Sequence, residues 1–320
     1  MSKKLHLTLA CGDYEITRPL QDGSVQPDGI ELSVRTELDA EARHARMMRN
    51  GEFDVAELSM SNFLVARFHR LPFVAIPVFL HRRFRHGFIF INATKGIENA
   101  RDLIGNKVGM RHFQTTSNLW VRGILHHEHQ VPYQSVHWLK QGKETVEAEP
   151  PGELRLELIS PGQNIESMLV QGELDAVIDP EIIQPVLDKD RRVKRLFENY
   201  KEVEISYYRN TGIFPIMHTT AIRQEIVERY PWVPANLMQA FARAKEIAMQ
   251  KMANPRRVPL AWFRHSLEEQ EKILGPDPWA YGLGAVNQKN LSMLIQYSYE
   301  QGLIGKRIPV DELFVESTRC

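Results

Sequence analysis

The 320-residue chain has little cysteine, no excess of either charge and no long apolar run. Cys11 and Cys320 are its two cysteines, which excludes a disulfide framework and a zinc site built from thiolates. Lysine plus arginine number 40, as do aspartate plus glutamate, so the basic excess typical of nucleic-acid-binding proteins is missing. No stretch approaches the ~20 apolar residues of a membrane span. We therefore expect no nucleic-acid partner and no membrane partner.

The amino terminus has a short apolar segment after two lysines, but His6 and Thr8 interrupt it. A secretory leader needs roughly 7–15 apolar residues and a cleavage site with small side chains. The alternation of leucines with polar residues over Leu5–Ala10 is typical of a β-strand. We expect a first strand there and a cytoplasmic protein.

The composition is that of a globular protein, with 43% hydrophobic and 25% charged residues, and the length fits two lobes of ordinary domain size. Apolar strands and amphipathic helices alternate twice in the same order, and the last third, from about residue 231, is mostly helical. The predicted strands are Leu5–Ala10, Ile30–Val34, Asp54–Leu58, Phe73–Phe79, Phe88–Ile91, Val108–Arg111, Leu154–Ile159 and Asp175–Ile178. The predicted helices include Glu41–Arg49, a helix from near Thr115 to His129, one ending at Gly172, and Asn287–Gln301. Residues 141–152 are predicted to form a surface loop.

A repeated segment links the two halves: Gly51-Glu52-Phe53-Asp54 matches Gly172-Glu173-Leu174-Asp175. Each follows an apolar helix face and precedes a buried strand, so each glycine is predicted to cap a helix. The fold class is therefore predicted to be α/β, with two doubly wound lobes and a central cleft for a small anionic ligand. We expect residues 1–90 and 214–320 to form lobe 1, with the C-terminal helices packed on it. Residues 91–213 are expected to form lobe 2.

The densest group of chemically active side chains is His81–His86, which has three arginines and two histidines. Arginine pairs bidentately with carboxylates, so the group suits an acid with several charges. In an extended chain, Arg83 and Arg85 would share one face, opposite Arg82 and His86. The alternative interpretation is a solvated basic loop.

Further candidates lie where strands are predicted to end or cross between lobes. Thr115, Thr116 and Ser117 precede a helix, where hydroxyls cap free N–H groups and the same N–H groups can hold an anion. Capping alone also explains one such residue. The other candidates are Arg18 after the first strand, Ser59 and Asp179 at later strand ends, and Arg209 and His218 on a crossover.

Other site types are disfavoured. His126 and His129 are spaced like a metal pair, but no further ligand follows at a typical spacing, so we expect no metal. There is no Gly-x-Ser-x-Gly segment, and Cys11 has no base nearby in the sequence.

These segments resemble the 4,5-dihydroxyphthalate decarboxylase family, enzymes of bacterial phthalate breakdown with the type 2 periplasmic-binding-protein fold. The resemblance spans nearly the whole chain, and residues 211–218, Thr-Gly-Ile-Phe-Pro-Ile-Met-His, are its most distinctive part. The other matching segments are residues 12–20, 53–59, 72–86 and 312–314.

The resemblance implies non-oxidative loss of CO2 from a dihydroxylated aromatic dicarboxylate, giving protocatechuate, without a cofactor. We expect a homo-oligomer with this small aromatic substrate as its partner. If the resemblance holds, four arginines and the helix N-terminus bind the carboxylates of the substrate. Two histidines then transfer protons, and Asp179 or Ser59 contacts the hydroxyls. The carboxylate-binding residues would be Arg18, Arg82, Arg85, Arg209, Thr115, Thr116 and Ser117, and the histidines His86 and His218.

Two alternatives use the same fold. A solute receptor for an aromatic carboxylate would need no catalysis, but the expected lack of an export signal disfavours it. A cofactor-consuming synthase related to pyrimidine-precursor enzymes would require a lysine in the cleft, and the clusters above contain none.

Overall fold

The computed structural model describes residues 4–146 and 154–319. The chain divides into two compact units: unit 1 is Met1–Arg82, Ile216–Ser292 and Ile308–Cys320, and unit 2 is Arg83–Pro215 and Met293–Arg307. The predicted lobe boundaries, 1–90 with 214–320 and 91–213, stay a prediction.

Eleven strands and eleven helices are formed by the described residues. The strands are β1 Leu5–Ala10, β2 Ile30–Arg35, β3 Val55–Ser59, β4 Phe73–Ile76, β5 Ile89–Asn92, β6 Lys107–Met110, β7 His137–Lys140, β8 Leu156–Leu158, β9 Ala176–Ile178, β10 Val193–Arg195 and β11 His218–Arg223. The α-helices are α1 Arg18–Gln21, α2 Ala40–Asn50, α3 Met60–Phe68, α4 Thr116–His129, α5 Ile165–Gln171, α6 Gln184–Leu187, α7 Tyr200–Thr211, α8 Gln224–Arg229, α9 Val233–Met252, α10 Phe263–Leu274 and α11 Ala285–Glu300.

Unit 1 is built on a five-stranded mixed sheet in the order β2-β1-β3-β11-β4. Strands β2, β1 and β3 are parallel, whereas β11 is antiparallel to both β3 and β4. The long helix α9 buries Leu237, Phe241, Ala244 and Ala248, the apolar face expected from their spacing. Parallel strands end at one edge of a sheet, so the ends of β1 and β3 lie together.

Unit 2 repeats this plan in a six-stranded sheet of order β10-β5-β9-β6-β7-β8. Strands β9, β6, β7 and β8 are parallel, and β5 is antiparallel to its neighbours β9 and β10. In both sheets, therefore, one strand runs antiparallel to the others, β11 in unit 1 and β5 in unit 2. This confirms the predicted α/β class with two doubly wound halves.

The repeated segment has the structure that the sequence predicted. Gly51 and Gly172 end α2 and α5 in the left-handed conformation, with φ of 59° and 77°, where glycine has no Cβ penalty. Three residues on, Asp54 accepts a 2.8 Å bond from Thr8 N–H at β1, and Asp175 accepts one of 2.8 Å from Lys107 N–H at β6. The two aspartates tie matching strands together in the two units.

Two predicted strands are shorter than expected. The strand predicted over Phe73–Phe79 ends at Ile76, because Pro77 follows and cannot donate a ladder hydrogen bond. The strand predicted over Leu154–Ile159 is reduced to Leu156–Leu158. Part of the predicted loop 141–152 lies outside the described residues. No helix formed by the residues that are described is long and apolar enough to cross a membrane.

Replacing Asp54 by asparagine tests whether its carboxylate stabilises the sheet by bonding to Thr8 on β1. Asp54→Asn keeps the size but loses the carboxylate, which accepts from Thr8 N–H and hydroxyl and from Arg223 at 2.7 Å. We expect the free energy of unfolding, measured by urea denaturation, to fall by about 1–3 kcal/mol. Asp28→Asn, in an exposed turn, is the matched control and should change little. Equal unfolding midpoints for the two variants would contradict the assigned role.

Candidate active site

A buried carboxylate lies at the centre of the polar cluster in unit 1. Glu57, on β3, has no exposed side-chain surface. Its Oε2 accepts 2.8 Å hydrogen bonds from Gly12 N–H and from Arg43 Nη2. Its Oε1 accepts from the Tyr14 hydroxyl at 2.8 Å and pairs with His218 Nδ1 at 2.6 Å. A carboxylate has about four lone-pair sites, so these four donors leave Glu57 no capacity for a substrate.

The sheet brings these donors together from three parts of the chain. Gly12 and Tyr14 follow β1, which pairs in parallel with β3. His218 begins β11 and lies opposite Ser59 in the antiparallel β3–β11 register. Arg43 lies on α2 and is fixed further by bonds to two carbonyls, of Leu38 at 3.2 Å and of Glu57 itself at 3.4 Å. The cluster therefore lies at the carboxyl end of the parallel strands, the usual binding edge of such sheets.

The electrostatics of the cluster keep Glu57 ionised. Burial alone would raise the pKa of this carboxyl group. The charge of His218 when its ring is protonated, the charge of Arg43 and the hydrogen bonds from His218 and Gly12 N–H outweigh burial, so its pKa falls well below the usual value. Glu57 is thus a fixed negative charge with no exposed side-chain surface.

Two more histidine rings surround His218. The ring of His44 meets it edge-on at 5.0 Å between centroids, and the ring of His81 meets it at 4.8 Å and 70°. Tyr14 stacks on His81 at 6.3 Å. His44 is buried, whereas His81 and Tyr14 are half-buried and the His218 side chain is 13% exposed. Only part of the cluster reaches the surface, namely two imidazoles and a phenol.

Three further titratable groups of the cluster, His44, Tyr14 and Cys11, stay neutral at physiological pH. Burial, followed by the charge of His218 when its ring is protonated and by the charge of Arg43, lowers the pKa of His44 well below its usual value. Burial and the Glu57 carboxylate raise the pKa of the Tyr14 hydroxyl far above neutrality. The same two causes raise the pKa of the Cys11 thiol to about 12. Neither tyrosine nor cysteine is therefore an anionic base or nucleophile here.

A carboxylate on Nδ1 prepares His218 for acid–base chemistry. With its Nδ1 proton donated to Glu57, the ring presents Nε2 as the proton-accepting nitrogen, and the carboxylate stabilises the imidazolium that forms. Among the predicted site residues, His218 is joined to this cluster by the hydrogen bond between its Nδ1 and Glu57 Oε1.

The structure places the other predicted residues of unit 1 in different surroundings. Arg18 is partly exposed and pairs with Asp13 at 3.0 Å and Glu15 at 3.3 Å. Arg82 is buried and donates to the Ala280 carbonyl at 3.1 Å and to the Asn287 side chain. Ser59 is buried and caps α3 by accepting from Asn62 N–H. Their roles in binding stay predictions.

In unit 2, Asp179 follows β9 and holds an arginine that the sequence did not single out. Its Oδ2 lies 2.7 Å from Arg111 Nε, and its Oδ1 accepts from Glu181 N–H at 2.9 Å. Burial raises the pKa of Asp179, against the opposing charge of Arg111. Both Asp179 and Arg111 follow parallel strands, β9 and β6, at one edge of the sheet.

The basic segment after β4 does not alternate as an extended chain would. Arg82 and Arg85 are both buried while Arg83 is exposed, so the predicted pairing of Arg83 with Arg85 on one face is wrong. The backbone turns at Arg85, with φ of −125° and ψ of −3°, into a short 3-10 helix over His86–Phe88. Arg85 donates to the Pro180 carbonyl at 2.9 Å, and burial lowers its pKa to about 9, so it stays charged at neutral pH.

His86 has a different environment from His218. It is buried, and its ring contacts Tyr207 at 5.1 Å and Phe197 at 5.7 Å. Its Nδ1 is 3.9 Å from Glu204 Oε1, too far for a hydrogen bond. Burial and His129 lower the pKa of His86 to about 3, and burial raises that of Glu204 to about 7. His86 is therefore a neutral imidazole, and its predicted role in proton transfer stays untested.

The predicted helix N-terminus exists. Helix α4 has 14 residues and begins at Thr116, with Thr115 as its N-cap residue and Thr116 and Ser117 buried. The Thr115 hydroxyl donates to the His112 carbonyl at 3.3 Å.

Arg209 lies exposed in the last turn of α7.

Glu57, Arg43 and His44 were not predicted from the sequence as site residues, and His81 and Tyr14, although they lie in candidate segments, were given no role. The signal for Glu57 was present: it is a charged residue inside a strand predicted to be buried, and buried carboxylates need partners. No comparable local pattern marks Arg43 or His44. Within residues 4–146 and 154–319 there is no group of three or more side chains placed to hold a metal ion.

Known proteins resemble this chain in sequence and in fold. No protein-family model matches it. A protein of Comamonas testosteroni named 4,5-dihydroxyphthalate decarboxylase is 32% identical over 320 residues, covering 97% of this chain and 96% of the relative. One of the same name from Pseudomonas putida is 35% identical over 213 residues, covering 64% of this chain and 82% of the relative.

Solved structures with the same fold include the periplasmic aliphatic sulphonate binding protein SsuA of Escherichia coli. Its TM-score is 0.59 at 13% sequence identity, and the match covers 98% of this chain and 99% of that chain. The alkanesulfonate-binding protein SsuA of Xanthomonas axonopodis gives 0.58 at 13% identity, with coverage of 98% and 99%. At this identity the likeness shows the fold, which is that of periplasmic binding proteins. The full-length similarity to the Comamonas protein shows that the chain belongs to the 4,5-dihydroxyphthalate decarboxylase family.

Proposed function

We propose that this chain catalyses the non-oxidative decarboxylation of 4,5-dihydroxyphthalate to protocatechuate. The observation that carries the proposal is the match to a relative of that name along almost the whole chain. The ionised Glu57 paired with His218 supports it independently, because the reaction requires a group that moves protons.

The reaction can proceed with acid–base groups alone. When the C–C bond to a carboxylate breaks, its electron pair needs an acceptor. A hydroxyl para to that carboxylate allows the ring carbon that bears the carboxylate to accept a proton. Departure of CO2 then returns the pair to the ring and restores aromaticity.

His218 is proposed to act on that hydroxyl. Its Nε2 accepts the phenolic proton, Glu57 stabilises the resulting imidazolium through Nδ1, and the proton returns to the phenolate after CO2 leaves. Glu57, whose oxygens are filled by protein donors, is a positioning residue.

The substrate carboxylates require cationic or N–H donors. We propose the N-terminus of α4, with Thr115, Thr116 and Ser117, for this role, supported by its length of 14 residues and the burial of its first residues. The roles predicted for Arg18, Arg82, Arg85, Arg209, Ser59, His86 and Asp179 are retained as proposals.

The receptor alternative is not favoured. The curated relatives are named as decarboxylases, whereas the binding proteins of known structure share only the fold at 13% identity. We further propose a cytoplasmic location, because the relatives are named as enzymes and not as exported binding proteins. A homo-oligomer is supported by the neighbouring exposed side chains of Leu260 and Trp262, 66% and 78% accessible.

Release of CO2 from 4,5-dihydroxyphthalate tests the activity and the role of His218 together. The wild-type protein should release CO2 and form protocatechuate, and His218→Gln should reduce kcat about 100-fold to 10,000-fold. His265→Gln, in the exposed part of α10, is the control and should keep full activity. Tight binding of the diacid without CO2 release by the wild type would favour a receptor.

Replacing Glu57 by glutamine tests its positioning role. Glu57→Gln removes the charge that stabilises the His218 imidazolium, so kcat should fall by about 100-fold or more. The Michaelis constant should change little, because the carboxylate does not contact the substrate. Steady-state kinetics on the folded variant separate the two. A raised KM with unchanged kcat would instead assign Glu57 to substrate binding.

A further inference from the structure

Resting on the proposed function, we propose that His81 is a second catalytic imidazole, which delivers the proton to the ring carbon that loses CO2. Decarboxylation by ring protonation needs two proton sites, one at the hydroxyl and one at the carbon across the ring. His218 supplies the first. The geometry around it points to His81 for the second.

The backbone fixes His81 and His218 side by side. The carbonyl of His81 accepts hydrogen bonds from the N–H groups of Met217 at 2.9 Å and His218 at 3.3 Å. Arg82 and Ile216 form an antiparallel bridge at the next position. The two imidazoles are therefore held in register across paired segments of unit 1, and not by side-chain packing alone.

The rings adjoin without being coplanar. Their centroids are 4.8 Å apart with an angle of 70° between planes, so the two imidazoles present different edges. Tyr14 stacks on His81 and is itself fixed by its hydroxyl bond to Glu57. His81 is half-buried and His218 is 13% exposed, so both reach the surface of the cluster, and His81 can regain a proton from solvent.

The other titratable and charged groups facing this pair cannot supply the proton. Glu57 is ionised and accepts four bonds, and Arg43 is committed to Glu57 and two carbonyls. Tyr14 donates its hydroxyl proton to Glu57, and His44 is buried and neutral. Among the imidazoles of this cluster, His81 is the one besides His218 with exposed surface.

The proton and electron changes balance with these two groups. His218 Nε2 takes the phenolic proton, and protonated His81 gives its proton to the carbon that bears the carboxylate, which becomes tetrahedral. The C–C bond breaks, CO2 leaves, and the electron pair restores the aromatic ring as a phenolate. His218 returns its proton to the phenolate oxygen, and His81 is reprotonated from water. The net change is one proton consumed and one CO2 released.

The test compares His81→Gln, His218→Gln and the control His265→Gln with the wild type, using 4,5-dihydroxyphthalate over a range of pH. Active enzyme needs His218 neutral and His81 protonated, so kcat/KM of the wild type should fall at both low and high pH. His81→Gln should lower kcat about 100-fold to 10,000-fold, and its kcat/KM should no longer fall at high pH. His218→Gln should lose the fall at low pH. Added imidazole should restore part of the activity of His81→Gln.

Folding is checked by thermal melting, and His81→Asn provides a second, smaller variant. Near-normal kcat in folded His81→Gln or His81→Asn would overturn the role of His81 alone. The same holds if the residual kcat/KM of these variants still falls at high pH. Absence of CO2 release by the wild type would overturn the proposed function and, with it, this role.

Discussion

The charge of Glu57 in the middle of a buried strand is the constraint on which the active-site cluster depends. A carboxylate without water is costly unless its oxygens are fully bonded. Four donors meet that requirement here, from the loop after β1, from α2 and from β11. Because the donors come from three different elements, the position of the carboxylate couples the sheet edge, the helix and the antiparallel strand. The same bonds orient His218.

The two units share a scaffold but not this chemistry. Counting from Gly51 and Gly172, the strands match through Asp54 and Asp175, and the position of Glu57 then corresponds to Ile178. The aspartates serve the same structural purpose in both units, bonding the N–H of an adjacent strand. A single residue in the repeat thus separates the unit with a buried ionised carboxylate from the unit with an apolar strand. The repeated segment is scaffold, and the acid–base groups are specific to unit 1.

Local patterns in the sequence were sufficient for much of the fold. Leucine alternation predicted β1 over Leu5–Ala10, and the glycines at 51 and 172 predicted two helix ends. The cluster could not be predicted in the same way, because His218 and Glu57 are 161 residues apart and meet only when β11 inserts beside β3. Residue type was also misleading within one segment: His86, next to a strand, is enclosed by aromatic rings, whereas His81 lies beside His218. Alternation failed there because the chain turns at Arg85.

The tautomer of His218 tests the central claim most directly. Nitrogen-15 NMR of the histidine side chains at neutral pH should show a proton on Nδ1 of His218, strongly deshielded by its short bond to Glu57. That signal should disappear in Glu57→Gln. A neutral His218 with its proton on Nε2, unchanged by Glu57→Gln, would contradict the account that a buried carboxylate prepares this imidazole for proton transfer.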